Sequence, residues 1–384
     1  MQGGRIPATC DDTEPDGDRL ARVRRSASLL AIALLTPTVA LAATTAPAGA
    51  TTPVGPFTID LANREEARRS YYAVHEASEG VAVGWTGNVA RCDPGSVSDD
   101  FLGATLTRIN WFRAMAGVPS DVVLTAQNNA KAQAAALMMS AQNDLSHDPP
   151  PSWRCWTQQG ADGASANLTL GSTGPPAIDQ LIKDGSALEL GHRRNLLNPQ
   201  HLAMGSGSIL ANPGGAASEA QYMEGNPSTV QRPARDGFVA WPPPGFVPYQ
   251  TVYPAWSFVL RGADFSGATV TMTRNGAAVP TAISSRADWA GPGLVWLADG
   301  LAQNGSWPRP DADDRITVNV GNVLVDGAAR TFTYDVTVFD PAVADPARTP
   351  LQITGPDAPP VGVAATFGAN TIPMRSATSG APRS

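Results

Sequence analysis

Apolar residues return every three or four positions through the middle of the chain, and every second position along its last third. Residues 61–80, LANREEARRSYYAVHEASEG, set Leu61, Ala62, Tyr72 and Val74 among Glu/Arg pairings at helical spacing, which predicts an amphipathic helix. A second helix is predicted over 104–117. Leu106, Ile109, Phe112 and Ala116 recur there, and Gly117 with Pro119 supplies the stop. The longest helix covers LTAQNNAKAQAAALMMSAQNDLSH, with Thr125 as its N-cap and a stripe of Ala130, Ala134, Leu137, Met138 and Ala141. So many alanines suit close packing against a sheet or another helix. PPAIDQLIKDG, opened by proline and closed by Gly185, predicts a short helix, and HLAMGSGSIL alternates as a strand does.

From about residue 241 the period becomes two. WPPPGFVP reads as a stiff, extended connector. Beyond it come WSFVL and ATVTMT, then Arg274-Asn275-Gly276, a type I′ hairpin signal. RITVNV, NVLV and TFTYDVTVF continue the alternation through Ile316, Val318, Val320, Phe332, Tyr334, Val336 and Val338. Short strands at this spacing predict a small β-sandwich. The expected organisation is a leader over 1–42, a flexible spacer over 43–60, a mixed helix and strand domain over 61–232, a β-sandwich over 241–340, and a disordered Pro/Ala/Gly/Thr-rich tail over 341–384.

The leader changes the picture most. Arg19, Arg22, Arg24 and Arg25 precede SASLLAIALLTPTVALA, which closes on Ala40-Leu41-Ala42, a cleavage pattern of exported chains. Pro37, flanked by Thr36 and Thr38, interrupts the apolar run, so a transmembrane anchor is not expected. The mature protein is therefore expected to be secreted or held in the cell envelope. Cys10 leaves with the leader. Cys92 and Cys155 remain, an even pair that reads as one disulfide in an oxidising compartment, two free thiols being the alternative. A net charge of −7 and the absence of any Lys/Arg-rich run argue against a nucleic-acid partner.

Candidate chemistry centres on two histidines about 45 residues apart: His147 in NDLSHDPPPSWRCW and His192 in ELGHRR. Taken singly, each reads as a hydrogen-bonded structural residue. There is no G-x-S-x-G elbow, no HExxH helix and no phosphate-cradling glycine loop. His75 and His201 lack motif context. Asn110 and Arg113, three apart on a helix, read as ligands of loop backbone or of a carboxylate. Of Arg193 and Arg194, which follow His192, one reads as a surface partner of Glu189 or Asp184, and Trp153 and Trp156 read as covers for the Cys155 disulfide.

INWFRAMAGVP, LTAQNNAKAQAAALMMSAQNDLSHDPP, ASANLTLG and GHRRNLLNPQHLAMGSGS, in that order, resemble the CAP superfamily of cysteine-rich secretory, antigen 5 and pathogenesis-related proteins. The likeness is to its bacterial exported branch, with a GHRR element and a trailing β domain, and covers roughly residues 61–232. It implies an α+β fold: an α/β/α sandwich, helices on both faces of a small antiparallel sheet, followed here by the β-sandwich. It also implies a shallow cleft holding His147 and His192. The family's cleft often carries a glutamate in a Gly-Glu-Asn-Leu element. This chain reads SANL there, so Ala166 stands at the glutamate's place, beside Asn167. Glu189 or Asp184 is the local acid available to His192.

Alanine offers neither a proton nor a metal bond. Two imidazoles can touch Zn²⁺, but a stable site takes three protein ligands, so zinc at His147 and His192 is expected to be weak and no cofactor is required. The expected function is a non-catalytic exported protein whose cleft, with His147, His192, Glu189 and Asn167, binds a lipid, sterol or envelope component. A metal-dependent or His-assisted hydrolase and a structural envelope or adhesion protein are the alternatives.

Overall fold

The computed structural model describes residues 56–185, 189–223, 232–287, 291–298 and 307–344, with a two-residue backbone ladder between Ile353–Thr354 and Gly368–Ala369. The leader, most of the spacer and most of the expected tail lie outside the described residues.

Asn63 opens α1 (Arg64–Ser70) by accepting from the backbone N–H groups of Glu65 and Glu66. The helix does not run evenly to residue 80. It widens into a π turn over Tyr71–His75 and tightens to a 3₁₀ turn over Glu76–Ser78. Tyr71 stacks on His75 there, with ring centroids 4.9 Å apart. The second helix, α2 (Asp99–Met115), starts five residues before the apolar pattern does. Its first two residues are acidic because they belong to the cap: Ser98 accepts from Phe101 N–H, and Asp99 and Asp100 favour the positive helix end, while Phe101 is already buried. Thr125 caps α3 (Ala126–Gln142) as expected. Two helices follow: α4 (Gln158–Gly163) and α5 (Gly174–Lys183). GHRRNL forms a sixth, α6 (Gly191–Leu196).

Four strands make the first sheet: β1 (Val123–Leu124), β2 (Asn167–Leu170), β3 (Ala203–Ile209) and β4 (Ser218–Met223). Their order is β1-β3-β4-β2, antiparallel except that β1 runs parallel to β3, which corrects the all-antiparallel expectation. The Ala-rich helix needs a close bed, and the GSGS run supplies it. A Cβ on Gly205 or Gly207 would fall 2.2 Å from backbone atoms of Asn128 or Ala132, so α3 lies directly on β3. Glycine is the residue that permits such an approach.

Ten strands follow: β5 (Val239–Trp241), β6 (Gly245–Pro248), β7 (Ala255–Val259), β8 (Ala263–Asp264), β9 (Thr269–Arg274), β10 (Ala277–Val279), β11 (Thr281–Ala287), β12 (Gly293–Ala298), β13 (Asp314–Val325) and β14 (Ala328–Phe339). One sheet has the order β10-β9-β13-β14-β6, with β8 also on β13; the other is β11-β12-β7-β5. WPPPGFVP is therefore not a free connector. Trp241 ends β5, and β6 pairs parallel with β14 at the sheet edge, where a strand tolerates Pro248. RITVNV and NVLV are one strand, β13, kinked by a register shift between Val320 and Val323. Asn275 and Gly276 take φ 50° and 85°, the left-handed pair that a type I′ turn requires.

The architecture is α+β, and its main core runs unbroken from the helices into the strands. Ile109, Phe112 and Leu196 belong to one buried cluster with Trp241, Trp256, Phe258 and Trp296. The described residues belong to one compact unit. Both edges of the expected flexible segments are packed. Phe57 N–H donates to Ser120 and Ile59 is buried, while Arg68 and Arg64 donate to the carbonyls of Pro341 and Val343. Among the described residues, no helix is long and apolar enough to cross a membrane.

Candidate functional site

The fold ties both histidines to one short stretch, Ala164–Asn167. His147 is exposed just past α3, and its Nδ1 donates to the Ala164 carbonyl at 2.8 Å. Asn167, at the start of β2, donates through Nδ2 to the His192 carbonyl at 2.9 Å. Three peptide units span at most ~10 Å, so the two histidine segments are anchored to neighbouring points of the same chain run.

His192 rides on α6, which Leu190 enters at φ 51°. The acid beside it is Asp184, not Glu189. Asp184 ends α5 in the left-handed region, and its side chain is 0% exposed against 25% for His192. One carboxylate oxygen accepts from the His192 backbone N–H and the other from its Nδ1, each at 2.9 Å. A carboxylate can only accept, so Nδ1 carries the proton of this bond. Glu189 lies exposed two residues before Gly191.

Ala166 is 1% exposed and belongs to the apolar cluster of Ala132, Ala135, Met138 and Leu168 beneath α3. Its neighbour Asn167 opens β2 and bonds α6 instead. Asn167 is 1% exposed and also accepts from Asn195 Nδ2 at 3.2 Å, so it braces α6. No three His, Cys, Asp or Glu side chains among the described residues converge to hold a metal ion.

Arg193 and Arg194 correct the expectation of surface pairing. Both are buried. Arg193 donates to the carbonyls of Ile182, Lys183 and Ala255 and to the Ser257 hydroxyl, and Arg194 donates to the Gly291 carbonyl. Arg193 stitches the helix that carries His192 to β7 of the second sheet, and Arg194 ties it to the segment just before β12. Burial pulls the Arg193 guanidinium down to about 10, against the opposing pull of Asp184.

The remaining side chains hold structure. Asn110 donates to the Val122 carbonyl, and Arg113 to those of Pro119, Leu196, Asn198 and His201. His201 is pushed down to about 4 by burial and by Arg113. His75 lies between Glu76 at 3.2 Å and Asp179 at 3.1 Å. Its hydrogen bond is the main reason that Glu76 falls to about 2. Cys92 and Cys155 form the disulfide, with Trp85, Trp153 and Trp156 packed around its cluster.

One group has no counterpart in the sequence reading. Glu219 on β4 is completely buried. It accepts from Ser206 Oγ at 2.8 Å, from Ser208 Oγ, from Gln221 Nε2 at 2.5 Å and from the Gly174 N–H at 2.9 Å. Desolvation pushes its carboxyl up to about 7 in spite of these bonds. The signal was present in GSGS facing SEAQ: Ser206 pairs with Gln221 and Ser208 with Glu219 across the two strands. That register is visible only after folding.

Residues 106–222 match the family model described as Cysteine-rich secretory protein family (CAP). No curated protein matches the chain.

Proposed function

We propose that this chain, which carries a CAP domain over residues 106–222, is exported and binds a ligand without turning it over, the ligand being a lipid, a sterol or another envelope component. The observation that carries the reading is Ala166. An apolar methyl, packed under α3, occupies the place at which the family's cleft often presents a carboxylate. Among the described residues, the His147 ring meets a backbone carbonyl and the His192 ring meets Asp184. A general acid and base on opposite sides of a scissile bond are not assembled. Export rests on the leader over 1–42 and on the Cys92–Cys155 disulfide, which suits an oxidising compartment.

Turnover of casein and of a peptide panel by purified protein tests the reading. It expects rates indistinguishable from buffer. Robust turnover abolished by His147→Ala would overturn it.

One observation favours a second reading, a His-assisted or metal-dependent hydrolase. Asp184 fixes the His192 tautomer as the orienting carboxylate of a general base would. This reading predicts activity that falls in chelator, with close to one equivalent of zinc surviving dialysis. Less than about a tenth of an equivalent, measured by metal analysis, removes its zinc form.

A further inference from the structure

Glu219 holds more than its own strand. Gly205 and Gly207 face α3, so Ser206, Ser208, Glu219 and Gln221 share the opposite face of the first sheet. The N-terminal end of α5 lies over that face, and its Gly174 N–H donates to Glu219 at 2.9 Å. Thr173 gives α5 no side-chain cap, and Pro175 and Pro176 have no N–H to offer. Glu219 therefore does from β4 what an N-cap residue does from within its own chain run. At its other end α5 stops on Asp184, whose two oxygens hold the His192 backbone N–H and ring Nδ1. The 10 residues of the helix, about 15 Å in length, join the two acids as one rod.

Among the described residues no charged group bonds Glu219. The strands β2 and β3 carry no ionisable side chain. On β4 itself, Tyr222 faces the other side, with Lys131 of α3 over its ring. On α2, whose Phe101 lies against Gly174, Asp99 and Asp100 are exposed. Arg108 is spent on Asp179 and Glu79, and Arg113 on loop carbonyls. On α5, Asp179 answers Arg108 and His75, Asp184 answers His192, and Lys183 lies half-buried at the far end.

An acid sealed from water among neutral donors holds its proton tightly. Protonated, it stays satisfied, because the Ser208 hydroxyl can accept as well as donate. Ionised, it is a buried charge that neutral donors do not repay, and letting water in relieves it. β4 is fixed between β3 and β2, so the cover that can move is the end of α5.

We propose that Glu219 is a proton-linked latch on α5: protonated, it holds the helix end on the sheet, and ionised, it lets that end lift, opening the Asp184 brace on His192. The latch governs the mobility of the histidine site and holds whether that site binds its ligand or turns it over.

Hydrogen exchange of the full mature chain at pH 6 and pH 8, each rate divided by its intrinsic value to give an opening constant, tests it. The amides of Ile178–Lys183 should open about tenfold more often at the higher pH, the linkage for an acid held at about 7 when closed and 4.5 when open. The His192 amide, which donates to Asp184, should follow them. In Glu219→Gln both should stay within about twofold across the same range. At pH 8 the α5 amides of the parent should open at least about tenfold more often than those of α3, marking a local event and not global unfolding. No rise in the parent, an equal rise in Glu219→Gln, α5 opening only as often as α3, or a His192 amide still protected while α5 opens would each overturn the latch. Should Glu219→Gln fail to fold, the pH profile of the parent and its comparison of α5 with α3 decide alone.

Discussion

Replacing Glu219 by Gln should stabilise the protein above neutral pH and do little for it in acid. The side chain is fully buried, and the groups that bond it are two hydroxyls, an amide and one backbone N–H. None is a cation, so nothing nearby repays the loss of water around an ionised carboxylate. Its affinity for a proton rises from an ordinary 4.5 to about 7. Because the folded state holds this proton more tightly than the unfolded chain, stability contributed by the protonated acid is complete below about 4.5 and is lost as pH climbs to about 7. At roughly 1.4 kcal/mol per unit the whole loss is about 3 kcal/mol. Glutamine keeps the shape and cannot ionise. Urea unfolding of parent and Glu219→Gln at pH 4.5, 6 and 8 measures the effect, and contributions from every other group cancel in the difference. That difference should shift by about 3 kcal/mol in favour of the variant between the first and last pH. A difference that stays flat across the range would refute the reasoning, because it would mean that Glu219 stays ionised or is reached by water.

Four further outcomes are expected. Gly207→Ala would drive a Cβ into the α3 backbone at 2.2 Å, and should cost at least ~2 kcal/mol by urea unfolding, as overpacking does. Arg193→Met should cost about 3 kcal/mol or more, since it orphans buried carbonyls on both α5 and β7; far- and near-ultraviolet circular dichroism should report one shared unfolding transition. Replacing both cysteines by serine opens a link across 63 residues of sequence and should lower stability by about 4 kcal/mol, read from denaturation midpoints. Ala166→Glu would bury a carboxylate among alanines; a fall in Tm of several degrees is expected, without recovery of hydrolysis.

The helices and strands were legible wherever the pattern of burial is local. Thr125 announces α3 and Asn275-Gly276 announces its hairpin because a cap and a turn depend on a few adjacent residues. The start of α2 lay outside the expected span because the two acidic residues that open it, Asp99 and Asp100, belong to no apolar period, although Phe101 just behind them is buried. WPPPGFVP looked free because proline forbids a central strand but not an edge, and sequence does not show which strand is the edge. The site divided in the same way. Both histidines and Ala166 could be named from motifs. The choice of Asp184 over Glu189 could not, since it turns on the left-handed end of α5 that aims one carboxylate at α6. Arg193 and Arg194 looked like surface charge because part of what buries them lies more than sixty residues away: the Ala255 carbonyl on β7 for Arg193 and the Gly291 carbonyl just before β12 for Arg194.

Asp184→Asn gives the most direct test of the central claim, that His192 is a braced cleft residue and not a catalytic base. The substitution keeps the shape and removes the charge that fixes the ring tautomer. Mass spectrometry of a diverse peptide library, incubated with parent and variant, should find no cleavage above buffer in either. Cleavage by the parent that drops a hundredfold or more in the variant would contradict it.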